Sequence, residues 1–307
     1  MIRIRLWQNN GKKKPENSDC TLSNIGQILT ELDSLVGLQE IKRLVAEIYA
    51  FVEIQKRRQK EKLPTEPQAL HMIFKGNPGT GKTTVARIIG RLFKEMGVLP
   101  KGHLIEVERA DLVGEYIGHT AQKTRTQLKK ALEGVLFIDE AYSLARGGEK
   151  DFGKEAIDVL VKGMEEYKDS LILILAGYKR EMDWFIKSNP GLKSRFPILI
   201  SFPDYSIEEL LAIADLMLNQ RQYMLSAEAK MGLKSILEQQ AAAGNHNGNA
   251  RLVRNLIEKT IRQQAVRLIK KQKTNREELM TISREDIYQG LQHLDETGRN
   301  SLWDIGI

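Results

Sequence analysis

The sequence predicts an α/β domain built on a parallel sheet, followed by a smaller α-helical domain. From about residue 31 to residue 203, strand-like apolar runs alternate with helix-like runs, which is typical of a parallel sheet covered by helices. From residue 204 onward the strand signal nearly vanishes. Residues 1–30 are polar and lack a sustained period, so we expect a loosely ordered N-terminal arm. The predicted domains are therefore residues 1–30, 31–203 and 204–307.

The α/β region is predicted to contain five strands. A helix from Gln39 to about Lys60 comes first, and Pro64 and Pro67 break the chain after it. The run Val135–Ile138 is continuously apolar, as expected of a strand buried on both faces of a parallel sheet. Apolar runs place the strands near residues 70–74, 104–108, 135–138, 171–176 and 198–202, with helices between them.

Start and stop signals divide the C-terminal region into helices. Ser206 and Glu209 have the spacing of a capping box, which predicts a helix from there to about Asn219. A second helix is predicted over residues 227–243, and residues 244–249 break the chain before a basic amphipathic helix. Ser283 with Asp286 caps a last, short helix.

A glycine-rich loop joins the first strand to the next helix, and reads Gly-Asn-Pro-Gly-Thr-Gly-Lys-Thr over residues 76–83. Its glycines allow backbone N–H groups to surround phosphate oxygens, and the helix N-terminus adds partial positive charge. Lys82 can reach the β- and γ-phosphates, and Thr83 can offer its hydroxyl to Mg²⁺. A chance glycine-rich turn would lack the flanking strand and helix. We therefore expect ATP to be bound by Asn77, Pro78, Gly79, Thr80, Gly81, Lys82, Thr83 and Thr84.

Two acids follow the continuously apolar run that ends at Ile138. Asp139 and Glu140 should lie at the carboxyl edge of the sheet, where open α/β sheets bind ligands. Asp139 is expected to hold Mg²⁺, and Glu140 to orient and deprotonate the attacking water, as a general base does in hydrolysis. The alternative is that the strand simply ends in an acidic turn exposed to solvent. This interpretation is weaker, because a complete phosphate loop lies upstream.

Composition restricts the class of protein. No apolar run approaches the ~20 residues that cross a bilayer, and no signal-peptide segment follows Met1, so we expect a cytoplasmic protein without membrane insertion. Cys20 is the only cysteine, which excludes an intramolecular disulfide. The net charge of +7 gathers partly in residues 251–276. That charge fits a solvated helix face, and less well a nucleic-acid surface.

Five segments resemble the AAA+ ATPases, in particular the branch that contains the red-type Rubisco activases and stage V sporulation protein K, and the resemblance is closest to the sporulation side. It covers roughly residues 33–290. It implies a homo-hexameric ring that binds ATP and Mg²⁺ between the α/β domain and a helical lid, with Walker A and Walker B motifs at residues 76–83 and 135–140. The matching segments are residues 76–83, 110–120, 137–142, 176–178 and 189–196.

The resemblance also implies roles outside the phosphate loop. Val36 and Gly37 match the element beside the adenine. Arg195 matches the catalytic arginine finger that reaches a neighbour's γ-phosphate, and a permanently charged guanidinium suits that role. Arg251 matches the second sensor, in the lid, although Arg254 lies one turn further along the helix.

One position departs from the family pattern. Many relatives place Asn, Thr or Ser as the first sensor at the end of the fourth strand, where this chain reads Ala176-Gly177-Tyr178. The Tyr178 hydroxyl is the candidate for that role.

The segment Glu115–Gly118 bears on the work done with ATP. Its Tyr-Ile-Gly resembles the pore loop with which protein-remodelling members grip a polypeptide, and Tyr116 would provide an amphipathic contact. The alternative is that Tyr116 packs beneath its own loop.

We favour a protein-remodelling motor, with a role in bacterial sporulation, over two alternatives. A nucleic-acid motor or loader is suggested by the pI of about 9.3. A monomeric nucleotide switch or small-molecule kinase is disfavoured, because the chain lacks an Asn-Lys-x-Asp motif and a separate acceptor-substrate domain.

Overall fold

The computed structural model describes residues 18–65, 69–116, 118–147, 151–242 and 248–300, with the backbone alone described for 18–22 and 293–300. Its centre is a five-stranded sheet. The strands are β1 Met72–Gly76, β2 Leu104–Val107, β3 Gly134–Ile138, β4 Leu171–Gly177 and β5 Ile198–Phe202. Their order in the sheet is β2-β3-β4-β1-β5, and every neighbouring pair is parallel. The predicted fold class is confirmed.

Helices cover both faces of the sheet. The helices are α1 Ser18–Ser34, α2 Gln39–Lys60, α3 Lys82–Glu95, α4 Arg109–Leu112, α5 His119–Lys130, α6 Gly153–Glu166, α7 Lys179–Ser188 and α8 Pro190–Lys193, with a 3-10 turn at Ala141–Ala145. Met72 and Phe74 face a core formed with α1, α2 and α3, whereas Ile73 faces the core on the opposite side, formed with α5, α6 and α7. This alternation along β1 explains why its residues are apolar on both faces.

The first helix corrects part of the sequence prediction. We expected a loosely ordered arm over residues 1–30, but α1 begins at Ser18 and continues past the predicted boundary at residue 31. Ile25, Ile28 and Leu32 are buried against the core beside α3 at spacings of three and four residues. This short apolar stripe is interrupted by polar residues, and for that reason it was missed. Residues 1–17 lie outside the described part of the chain.

The C-terminal region forms a helical lid with its own apolar core. The capping box is present, since Glu209 N donates to Ser206 Oγ at 3.2 Å and Ser206 N donates to a Glu209 carboxylate oxygen at 2.9 Å. Among the described helices, none is long and apolar enough to cross a membrane. The elements are α9 Ile207–Asn219, α10 Ala227–Ala242, α11 Asn249–Ile269, α12 Arg276–Met280 and α13 Arg284–Asn300, with a parallel pair of two-residue strands, β6 Met224–Leu225 and β7 Thr281–Ile282, that the sequence did not predict.

Candidate functional site

The glycine-rich loop connects β1 to α3, as predicted. Gly79 and Gly81 have φ values of 73° and 94°, which L-residues with side chains rarely adopt. The Lys82 ammonium donates to Gly76 O at 3.0 Å and to Asn77 O at 2.9 Å, so the lysine lies across the loop. Burial lowers the pKa of Lys82, and the carboxylates of Asp139, Glu140 and Asp204 oppose that effect. The loop thus brings a partly desolvated cation to the edge of the sheet.

Asp139 and Glu140 follow β3 at the same edge as the loop. Asp139 N donates to Val107 O at 3.0 Å, which continues the β2–β3 pairing beyond the strand. The Asp139 carboxylate accepts from Glu140 N at 2.9 Å. Glu140 is exposed and has a φ of 46°, a left-handed conformation that is unfavourable for a residue with a side chain. The chain therefore turns sharply here, at the same edge of the sheet as the loop.

Tyr142 supports this turn from below. Its ring is buried, and a Cβ on Gly177 would lie 2.7 Å from it, so only glycine fits at the end of β4. Burial and the neighbouring Glu140 carboxylate raise the pKa of the Tyr142 hydroxyl. The Tyr178 ring lies 6.0 Å from the Tyr142 ring, centroid to centroid. This packing against Tyr142 explains why the chain has glycine at residue 177, where it departs from the family pattern. Tyr178 remains our candidate for the first sensor.

The Thr83 hydroxyl faces a carboxylate that the sequence analysis missed. Thr83 Oγ1 donates to Glu106 Oε1 at 3.4 Å, and Glu106 pairs with Phe137 in the β2–β3 register. A lone acid within the apolar run of β2 was the available signal. Among the described residues no group of three or more His, Cys, Asp or Glu could hold a metal by itself. Mg²⁺ at nucleotides needs only one or two protein ligands beside phosphate and water, so Thr83 and Asp139 fit that ion.

Val36 and Gly37 lie where the α/β domain meets the lid. Val36 packs against the lid core, and Gly37 has a φ of 66°. A Cβ on Gly37 would collide with the Glu209 carboxylate of α9 and would lie 3.4 Å from the Tyr205 ring. These two residues are therefore close to the phosphate loop, because the Tyr205 hydroxyl donates to Thr80 O at 3.2 Å.

The lid touches the loop through the start of α11. Ala250 N donates to Gly79 O at 3.2 Å, and a Cβ on Gly79 would lie 2.8 Å from Arg251 N. Arg251 and Arg254 are both exposed, one turn apart on the same helix. The first turn of α11, which carries Arg251, is in direct contact with the loop.

Arg195 lies at the end of the sheet opposite to the phosphate loop, where the parallel strands begin. It precedes β5, which runs parallel to β1, whereas the phosphate loop follows β1. The five residues of β5 alone separate the two edges by about 16 Å. The Arg195 guanidinium pairs with Glu165 and donates to Gly191 O at 2.9 Å. Arg195 is therefore not brought together with the loop of its own chain.

Tyr116 occupies an exposed loop between α4 and α5. Its side chain is 66% exposed and meets the His119 ring edge-on at 5.4 Å. The base of the loop is fixed, because the buried Thr120 hydroxyl accepts from Gly114 N at 2.9 Å. Arg109 of α4 donates to Ser143 O, just after Glu140, at 2.5 Å. The loop is anchored at its base and open at its tip; Ile117 lies outside the described residues.

Comparisons with known proteins agree with this architecture. Residues 72–204 match the ATPase family associated with various cellular activities (AAA), and residues 206–297 match the AAA lid domain. The chain is 59% identical over 263 residues to stage V sporulation protein K of Bacillus subtilis, covering 85% of this chain and 82% of that protein. It is 47% identical over 270 residues to the chloroplastic ribulose bisphosphate carboxylase/oxygenase activase of Cyanidioschyzon merolae, covering 86% and 92%.

Solved structures of lower sequence identity share the fold. A RuvB mutant from Thermotoga maritima superposes with a TM-score of 0.56 at 17% identity, covering 86% of this chain and 72% of that one. The FIGL-1 AAA domain in complex with ADP gives a TM-score of 0.56 at 16% identity, covering 88% of each chain. With an α/β domain that carries the phosphate loop and an α-helical lid in contact with it, this chain belongs to the AAA family of ATPases.

Proposed function

We propose that this protein is an ATP-hydrolysing, protein-remodelling motor that works as a homo-hexameric ring in the cytoplasm and acts on a polypeptide partner. Its high identity to a sporulation protein supports a role in bacterial sporulation. One observation carries the ATPase assignment. The phosphate loop after β1 and the Asp139–Glu140 pair after β3 lie at the same edge of the sheet, because β1, β4 and β3 run parallel.

Each residue at this edge of the sheet has a separate role in ATP hydrolysis. Lys82 binds the β- and γ-phosphates, and the backbone N–H groups of Asn77 and of residues 79–84 bind their oxygens. Thr83 and Asp139 would hold Mg²⁺, which neutralises charge on the phosphate oxygens when it is bound. Glu140 accepts the proton of the attacking water, and its left-handed backbone places the carboxylate beyond the end of the strand.

Two further groups complete nucleotide binding in this proposal. Val36 and Gly37 contact the adenine side, since they lie between the loop and the lid. Arg251 contacts the phosphates from the first turn of α11, which touches Gly79.

The position of Arg195 supports a ring. The guanidinium lies across the sheet from the loop of its own chain, so it serves as a finger only for a neighbouring subunit. Its ion pair with Glu165 is partly exposed and therefore weak enough to exchange for a phosphate.

The exposed Tyr116 supports a polypeptide as the substrate. An aromatic side chain that is two-thirds in solvent contributes little to the core and offers a surface for contact with a partner. Two of the basic residues near the end of α11 are ion-paired, Arg267 with the buried Asp286 and Lys271 with Glu278. These pairs weaken the alternative of a nucleic-acid surface on that helix.

The proposal is tested by Glu140→Gln, which removes the general base and keeps the shape of the side chain. ATP affinity, measured by nucleotide fluorescence, should stay within about two-fold, while hydrolysis falls by about 10²–10⁴-fold. Glu115→Gln in the exposed loop is a matched control that should keep hydrolysis unchanged. Normal turnover in Glu140→Gln would contradict the assignment of the base.

A further inference from the structure

The outward-facing carbonyls of the phosphate loop are held by groups from the hinge and the lid. Pro78 O accepts from Asn249 Nδ2 at 3.3 Å, Gly79 O from Ala250 N at 3.2 Å, and Thr80 O from the Tyr205 hydroxyl at 3.2 Å. Three successive carbonyls are thus held by the hinge and the lid. In a trans peptide group the N–H points opposite to the carbonyl, so the N–H groups of residues 79–81 point away from these partners.

Asp204 connects these contacts. It is the hinge residue between β5 and α9, and both of its oxygens accept from Asn77 Nδ2, at 3.0 and 2.9 Å. The same carboxylate accepts from Asn249 Nδ2 at 2.8 Å. Asn249 is buried, and its own carbonyl oxygen accepts from Tyr205 N at 3.0 Å. One carboxylate therefore links the loop to the first residue of α11.

We propose that Asp204, Tyr205 and Asn249 are positioning residues that hold the phosphate loop in its binding shape only while the lid is docked. The inference rests on the proposed function and extends it to a connection between lid position and nucleotide affinity. None of the three needs to touch the nucleotide. They act by fixing the Asn77 side chain and the carbonyls of residues 78–80 before ATP arrives, so that binding does not have to order the loop.

Charge supports a specific role for Asp204. A carboxylate near a phosphate site opposes an anionic ligand, so its presence there is explained by what it positions. Hydrogen bonds to an ionised acceptor are about twice as strong as neutral ones, and this carboxylate receives them from both sides of the hinge. Loss of the carboxylate would leave the amides of Asn77 and Asn249 without this acceptor.

The test measures ADP and ATP affinity of the full chain by titration with a fluorescent nucleotide. Asp204→Ala should weaken both nucleotides by about 10- to 100-fold, the effect of losing charged hydrogen bonds. Asn249→Gly removes the amide and suits the φ of 42°, so it should weaken binding without new backbone strain. Combined with Asp204→Ala it should add little, because both changes break one network.

Controls separate this role from simple destabilisation. Asp215→Ala removes a lid carboxylate that pairs with Lys230 at 2.6 Å and touches no loop residue, so it should leave affinity unchanged. Asp204→Asn keeps the shape of the side chain, and serves if Asp204→Ala does not fold. Without nucleotide, the melting temperatures of the weakly binding variants should be similar to that of the wild-type chain.

The outcomes distinguish the two proposals. If the wild-type chain binds no nucleotide, the proposed function fails. If it binds, but Asp204→Ala and Asp204→Asn bind within two-fold of it, the inference is overturned. Fully additive effects of Asp204→Ala and Asn249→Gly would also overturn it, since independent sites add.

Discussion

Replacement of Arg195 by alanine tests whether each ATPase site is completed by a neighbour. The side chain is 31% exposed and its partner Glu165 is 63% exposed, so loss of this ion pair should lower the free energy of unfolding by less than about 1 kcal/mol. Nucleotide binding should persist, because the loop lies at the opposite edge of the sheet. Hydrolysis should fall by about 10³–10⁵-fold, the usual contribution of an arginine finger.

An assay that mixes two inactive variants tests whether Arg195 acts on the site of a neighbouring subunit. Lys82→Ala chains keep Arg195 and lose the phosphate-binding cation, whereas Arg195→Ala chains keep an intact loop. Each variant alone should be nearly inactive. In randomly mixed rings, half of the sites have an intact loop and half of those border an intact finger, so activity should recover to about a quarter of the wild-type value.

Either of two results would refute this reasoning: a mixture no more active than the two variants measured separately, or Arg195→Ala rings that hydrolyse ATP normally. Glu165→Gln provides the matched control, because it removes the intrachain partner of Arg195 and keeps the finger. It should leave hydrolysis by assembled rings at or above the wild-type level.

Three further predictions follow from single residues. Tyr116→Ala should lower the melting temperature by no more than a few degrees, as the ring is mostly exposed, and should abolish stimulation of the ATPase by a polypeptide; a large calorimetric destabilisation would support the buried alternative. Arg109→Gln should weaken that stimulation while basal hydrolysis persists, because Arg109 joins the base of the Tyr116 loop to Ser143 and Asp151; equal loss of both activities would contradict it. Burial lowers the pKa of His71 to about 4, and its Nδ1 accepts from Leu173 N at 3.0 Å. The unfolded chain therefore takes up the proton first as pH falls, so the free energy of unfolding should decrease by about 3 kcal/mol from pH ~6.5 to ~4, and His71→Asn should remove this part of the pH dependence in urea titrations.

Local patterns were sufficient for the fold class, and they also predict the phosphate loop and the two acids after β3. The helix Gln39–Lys60 and the strand Ile198–Phe202 match the predicted bounds, because each has a clear apolar period between breaking residues. The Ser206–Glu209 capping box is likewise a local signal, and it forms as predicted. Helix α1 was missed because its stripe is short and is stabilised by the α/β core.

The sequence by itself predicts which residues bind phosphate, because the loop, the lysine and the acids lie in two short segments with recognisable residue types. Tertiary structure alone decided how distant residues meet. The parallel register sets Arg195 at the edge away from its own loop, and the docking of α11 brings Asp204 and Asn249 to the back of that loop. Such contacts join residues 45 to 171 positions apart, and no periodic or local pattern encodes a pairing over that separation.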